Sequence, residues 1–184
     1  DVYKRQPEIV SRLGLSVCRH YLSAGVTPII KHIPGHGRAA ADSHLELPVV
    51  EASKDELAAK YFKPFADIAA SDVGANVWAM TAHVKYDALD KELPATISHE
   101  IINGVIRKQM GFEGIIVSDD LDMKALLPYG EPPEMAVKAL DAGCDLLLHC
   151  TGEMQMMQKI VEKLPKISDS CLLYTSPSPR DTPQ

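Results

Sequence analysis

Four short stretches of this chain are apolar almost without interruption until their last residues: VTPIIKHIPG at 26–35, VWAMTAHV at 77–84, GIIVSDD at 114–120 and CDLLLHC at 144–150. A strand that is hydrophobic on both faces must be covered on both faces, which is the signature of a parallel sheet packed between helices. The intervening segments supply those helices. PEIVSRLGLSVCRHYLSAG spaces its apolar residues at the helical period and stops at Gly25. SKDELAAKYFKPFADIAAS opens with a capping pattern at Ser53 and Glu56, and SHEIINGVIRKQMG with Ser98 as its cap. PEMAVKALDAG carries Pro133 in its first turn, and GEMQMMQKIVEKL closes the series, its methionines serving helix packing. The predicted order is therefore α-β-α-β-α-β-α-β-α. Two architectures satisfy it, an open doubly wound sheet or part of a β/α barrel, and four strands are half of the eight a barrel needs.

Ionisable residues collect where these strands end. Lys31 and His32 finish the first, His83 the second, Asp119 and Asp120 the third, and His149 the fourth. In parallel α/β folds the C-terminal strand ends form the active face. Four strands each delivering a titratable group to one face point to a catalytic mouth. The loop after the first strand, KHIPGHGRAAADSH at 31–44, is denser still, with His32, His36, Asp42 and His44 together. Such a loop either holds a metal or moves a proton. Asp42 and His44 are two residues apart, so in extended backbone their side chains point the same way and the carboxylate can steady the imidazole. That is an acid/base pair with a proton affinity near neutrality. Lys31 and His32 are suited to contact substrate hydroxyls, His83 to a substrate or supporting contact, and His36 to bracing the loop between Gly35 and Gly37. His20 and His99 fall on helices and read as solvated.

Composition narrows the partners. The net charge is −6 and the pI about 5.6, which argues against nucleic acid or an anionic membrane. No apolar run approaches the ~18 residues of a membrane span, and no GxGxxG or GxxxxGK[ST] follows a strand. The four cysteines lack CxxC spacing, and Cys144 and Cys150 read as small core residues around a buried strand. The ends, DVYKRQ and DSCLLYTSPSPRDTPQ, fit neither the periodicity nor the composition of the middle. The expected division is a non-native scar at 1–6, one domain at 7–167, and a non-native or disordered tail at 168–184.

KHIPGHGRAAADSHLELPVV closely resembles the signature of family 3 glycoside hydrolases, in the branch of bacterial β-N-acetylhexosaminidases. IIVSDDLDMKAL resembles the same family's nucleophile segment, and WAMTAHVKY and AGCDLLLHC its neighbouring strands. The resemblance spans nearly all of 7–165. It implies a TIM (β/α)8 barrel of which only the last four β/α units are present. It implies Asp119 as nucleophile, His44 as acid/base with Asp42 beside it, and Lys31 and His32 as substrate contacts, with no cofactor and no metal. It further implies a cytoplasmic enzyme that removes terminal β-linked N-acetylglucosamine from anhydro-muropeptides. Retaining glycosidases need a carboxylate nucleophile and a second group that shuttles the proton, which these residues provide. Two alternatives compete. One is an amidohydrolase-type zinc hydrolase using His32, His36, His83 and Asp119, against which the usual HxH spacing is missing. The other is a truncated chain with no competent site.

Overall fold

The computed structural model of the chain describes residues 6–38 and 47–166. Helix α1 (Pro7–Ser23) precedes strand β1 (Ile29–Ile33). Helices α2 (Lys54–Glu56) and α3 (Lys63–Ala69) are joined by a π-form stretch, Leu57–Phe62, and lead to β3 (Trp78–Thr81). A second π-form helix, Glu100–Gln109, precedes β5 (Ile116–Asp120). Helix α4 (Pro132–Ala142), strand β6 (Leu146–Leu148) and helix α5 (Met154–Lys163) complete the series. The four strands lie in the order β1-β3-β5-β6, every pair parallel. Four consecutive β/α units with neighbouring strands paired in sequence order make a partial (β/α)8 barrel. Two features escape the alternating pattern. A two-residue pair, β2 (Val49–Val50) with β4 (Lys85–Tyr86), forms a separate parallel ladder too short to leave a periodicity. The π turns alter only the backbone register, and Ile101, Ile102, Val105 and Ile106 still form the buried face.

Local chemistry explains the boundaries. Ser53 Oγ accepts the Glu56 N–H at 3.2 Å, and Ser98 Oγ accepts the Ile101 N–H at 3.2 Å while donating to Asp90 Oδ2 at 2.6 Å. Gly143 ends α4 in the left-handed region at φ 113°. The core runs along the sheet and its covering helices, through Ile33, Ala79, Ile116, Phe112, Leu126 and Met135.

The outer strands are less covered than the inner ones. Ile29 on β1 is 41% exposed and Leu146 on β6 is 41% exposed, whereas Ala79 and Ile116 on the central strands are fully buried. Leu13, Val17 and Tyr21 on one face of α1 are also exposed, as are Met154, Met157 and Val161 on α5. Apolar side chains thus line both flanks, where a full barrel has further β/α units.

One polar clamp fastens the centre. The Arg107 guanidinium donates to the carbonyls of Phe112 and Gly114 at 3.0 and 2.6 Å, and to Asp145 Oδ2 at 2.7 Å. The same carboxylate oxygen accepts the Ile116 N–H at 2.7 Å. The end of one helix, the start of β5 and the start of β6 are thereby tied together. Charged hydrogen bonds of this kind contribute roughly 1.5–3 kcal/mol each, net of the bonds to water they replace, and less where solvent reaches them. Arg107→Leu is therefore expected to lower the unfolding free energy by about 2 kcal/mol in urea titration. A loss below about 0.5 kcal/mol would mean the clamp is idle.

Candidate active site

The polar strand ends meet at one edge of the sheet, and two bulges aim them. Between β1 and β3 the register pairs Lys31 with Met80 but Ile33 with Thr81, so His32 is an extra residue on its strand. Between β5 and β6 it pairs Val117 with Leu146 but Asp120 with Leu148, which places an extra residue at Ser118–Asp119. A bulge bends its strand and re-aims the side chains around it. Here both bulges fall at the C-terminal ends. His32 Nε2 and Asp119 Oδ2 come within 3.6 Å across the intervening strand β3.

The Asp119 carboxylate is held asymmetrically. Its Oδ1 accepts the Asp120 N–H at 2.9 Å, and its Oδ2 turns toward His32. Both side chains remain partly accessible, at 18% for Asp119 and 29% for His32. Burial holds the His32 imidazole below its ordinary pKa, with Asp119 pulling it up and Lys31, His36 and His83 pushing it down. His36 packs at a tilt on His32, ring centroids 5.7 Å apart. The loop root beneath them is fixed by Gly35, at φ 135°, whose added Cβ would sit 2.8 Å from the Tyr61 Cβ. The Gly35 carbonyl accepts the Tyr86 hydroxyl at 3.2 Å. A cleft of about 950 Å³ between β1, α1 and α3 is bordered by Lys31, His32 and His36, but Asp119 does not line it.

Of the two readings of His83, substrate contact or support, its contacts fit the support. It is completely buried, with Nδ1 2.7 Å from Thr96 Oγ1 and Nε2 2.9 Å from the Asp120 carbonyl oxygen. Neither ring nitrogen is left for a ligand, so the side chain lies under the site as a support. Thr96 also lies 2.8 Å from Thr81 Oγ1. Sequence reasoning missed both threonines. Thr81 had a signal, as a polar residue two positions before His83 in an apolar strand, while Thr96 in a loop had none.

Asp120 secures the loops. Its Oδ1 accepts the N–H groups of Asp122 and Cys150 at 3.2 and 3.1 Å, linking the ends of β5 and β6. Cys150 is exposed rather than part of the core, because β6 ends at Leu148 and this cysteine already belongs to the following loop. Cys144 is buried as expected. His149 Nδ1 pairs with Asp122 Oδ2, and its Nε2 lies 3.1 Å from Thr151 Oγ1. Among the described residues, the donors that gather within 4.8 Å of one another are those of Asp120, Asp122 and His149, and not the His32–His36–His83–Asp119 set of the zinc-hydrolase alternative. Asp42 and His44 lie outside the described residues. No helix among the described residues is long and apolar enough to cross a membrane.

The imidazole burial has a consequence for stability. Desolvation holds His83 below the ordinary histidine pKa, as it does His32. A histidine whose folded pKa is depressed binds fewer protons native than unfolded just below that value, so acid favours unfolding. Urea midpoints should fall as pH is lowered from about 7 toward 5, a range in which the depressed carboxylates of Asp67 and Asp90 remain ionised. His83→Gln should flatten that slope. Equal slopes for the two proteins would contradict a buried neutral His83.

Comparison with known proteins supplies the remaining context. The model of the glycosyl hydrolase family 3 N terminal domain matches residues 1–171. The chain is 40% identical over 163 residues to a beta-hexosaminidase of Alkalilimnicola ehrlichii, covering 89% of this chain and 45% of that protein. It is 38% identical over 148 residues to the beta-hexosaminidase of Hydrogenovibrio crunogenus, covering 80% of this chain and 40% of that protein. Among solved structures it superposes on NagZ from Neisseria gonorrhoeae in complex with N-trifluoroacetyl-D-glucosamine, with a TM-score of 0.77 and 34% identity, covering 91% of this chain and 47% of that one. A family 3 beta-N-acetylglucosaminidase from Paenibacillus gives a TM-score of 0.79 at 36% identity, covering 85% of this chain and 29% of that one. The chain thus spans less than half the length of these curated relatives.

Proposed function

Because the chain belongs to glycosyl hydrolase family 3, we propose that it carries the nucleophile-bearing half of a retaining β-N-acetylhexosaminidase. The observation that carries this reading is the Asp119 carboxylate. One oxygen is anchored by a backbone N–H, and the other is presented at the sheet's C-terminal edge opposite His32. A carboxylate held in this way has one oxygen oriented and spare, as attack on an anomeric carbon requires.

In the first step, Asp119 Oδ2 attacks the anomeric carbon, and the glycosidic C–O bond breaks as His44 gives its proton to the leaving oxygen. In the second, water attacks the same carbon, His44 takes a proton from it, and Asp119 leaves as free carboxylate. Asp42 orients and charges His44. Lys31 and His32 take the sugar hydroxyls, and the lowered proton affinity of His32 keeps its imidazole neutral, able to accept as well as donate. His83 serves the site from beneath.

The substrate class is a terminal β-linked N-acetylglucosamine, as on the anhydro-muropeptides of cell-wall recycling, met in the cytoplasm. A solved relative named as a beta-N-acetylglucosaminidase, and NagZ in complex with an N-acylated glucosamine, support the sugar. The rest of the barrel supplies the opposite wall.

The test uses the full-length enzyme that carries this segment, with an aryl N-acetyl-β-glucosaminide as substrate. Asp119→Ala should lower kcat by at least about a thousandfold, and azide should partly restore turnover as the glycosyl azide. His44→Ala should lose far more on substrates with poor leaving groups than on nitrophenyl substrates. Full activity in Asp119→Ala would remove the nucleophile assignment.

A further inference from the structure

The buried chain Thr81–Thr96–His83 ends on the backbone of the residue that anchors the nucleophile. Every link is short: 2.8 Å from Thr81 Oγ1 to Thr96 Oγ1, 2.7 Å from Thr96 Oγ1 to His83 Nδ1, and 2.9 Å from His83 Nε2 to the Asp120 carbonyl. All three side chains are fully buried. The proton positions follow from chemistry. A carbonyl oxygen only accepts, so His83 Nε2 carries hydrogen and donates to Asp120. A fully buried imidazole is favoured neutral, which leaves Nδ1 as a lone pair needing a donor. Thr96 is the hydroxyl placed to donate to it, and the Ala82 carbonyl, at the longer distance of 3.1 Å, competes for the same proton. Thr81 then donates to Thr96. The array has a single direction, and it delivers a fixed N–H to Asp120.

Asp120 passes that constraint on. Its carbonyl is held by His83, and its own N–H donates to Asp119 Oδ1 at 2.9 Å. With both backbone polar groups of one residue engaged, the bulge at the end of β5 has little freedom to rotate. We infer that Thr96 and His83 are positioning residues for the Asp119 carboxylate, acting through the Asp120 backbone to keep Oδ2 turned toward the site. Neither touches the sugar. The charged and titratable groups facing His83 are the carboxylates of Asp119 and Asp120, which favour a charged ring, and the ring of His32, which opposes it. The inference rests on the proposed role of Asp119.

The experiment has two readouts in the full-length enzyme carrying this segment. Two-bond ¹H–¹⁵N spectra, assigned with His83→Gln, should show His83 as the neutral Nε2–H tautomer throughout the pH range in which surface histidines titrate. In Thr96→Val the ring loses its donor and should begin to titrate or to populate the other tautomer, while Thr96→Ser keeps the wild-type signal. With an aryl N-acetylglucosaminide, Thr96→Val should lower kcat about tenfold to a hundredfold, the range expected for misplacing a reacting group by up to an ångström. KM should change by less than about twofold, and Thr96→Ser should recover most of the loss, a split that uniform loss of substrate binding would not give. If Thr96→Val does not fold, Thr96→Ala takes its place with the same readouts. A charged or Nδ1–H ring in the wild-type enzyme overturns the inference. So does wild-type kcat in the threonine variant while Asp119→Ala is inactive. Activity surviving in Asp119→Ala removes the nucleophile reading instead, and this inference with it.

Discussion

Parallel pairing sends every strand of a sheet out at the same edge, and in this chain that edge gathers the titratable side chains. The consequence is strict because each strand is only three to five residues long. On the central strand β5, a group three positions before Asp119 would stand at Ile116, which is fully buried. His32 and Asp119 belong to different strands with β3 between them, yet their side chains approach to 3.6 Å. Regular pleating alone would send neighbouring residues to alternating faces. The extra residue in β1 and the extra residue in β5 break that alternation where the strands leave the sheet. The sheet brings the residues to one edge, and the irregularities turn them toward each other.

Much of this was written locally. Continuous apolar runs announced buried parallel strands, and Ser53 and Ser98 announced helix starts that their side-chain oxygens make. Polar residues at the ends of such runs marked the edge where His32 and Asp119 meet. What stayed hidden depends on neighbours far along the chain. His83 read equally as a substrate contact or a support, because sequence shows its position but not its partners. Those partners, Thr96 and the Asp120 carbonyl, are 13 and 37 residues away. Cys150 looked like core because it follows three leucines, but the strand ends before reaching it. The π turns leave the apolar spacing intact and so leave no trace in the pattern.

Asp119 and Asp120 are adjacent and chemically identical, yet the fold uses them in opposite ways. Asp119 spends one oxygen on a single backbone N–H and keeps the other available. Asp120 accepts two N–H groups from separate loops and joins the ends of two strands. Environment, and not residue type, sets the two carboxylates apart: one keeps an oxygen turned toward His32 and the other fastens loops.

The close approach of Gly35 to Tyr61 has a further meaning for how such a site can vary. The histidine loop begins at a point with no volume for even a methyl group, pressed against a helix of the outer layer. Its base therefore behaves as a pivot whose height is set by the main chain and Cβ of Tyr61 behind it. Shrinking the Tyr61 ring alone frees no room there, because the atoms that meet Gly35 are the Cβ and carbonyl that nearly every residue carries. Reshaping this root therefore requires the helix backbone itself to shift.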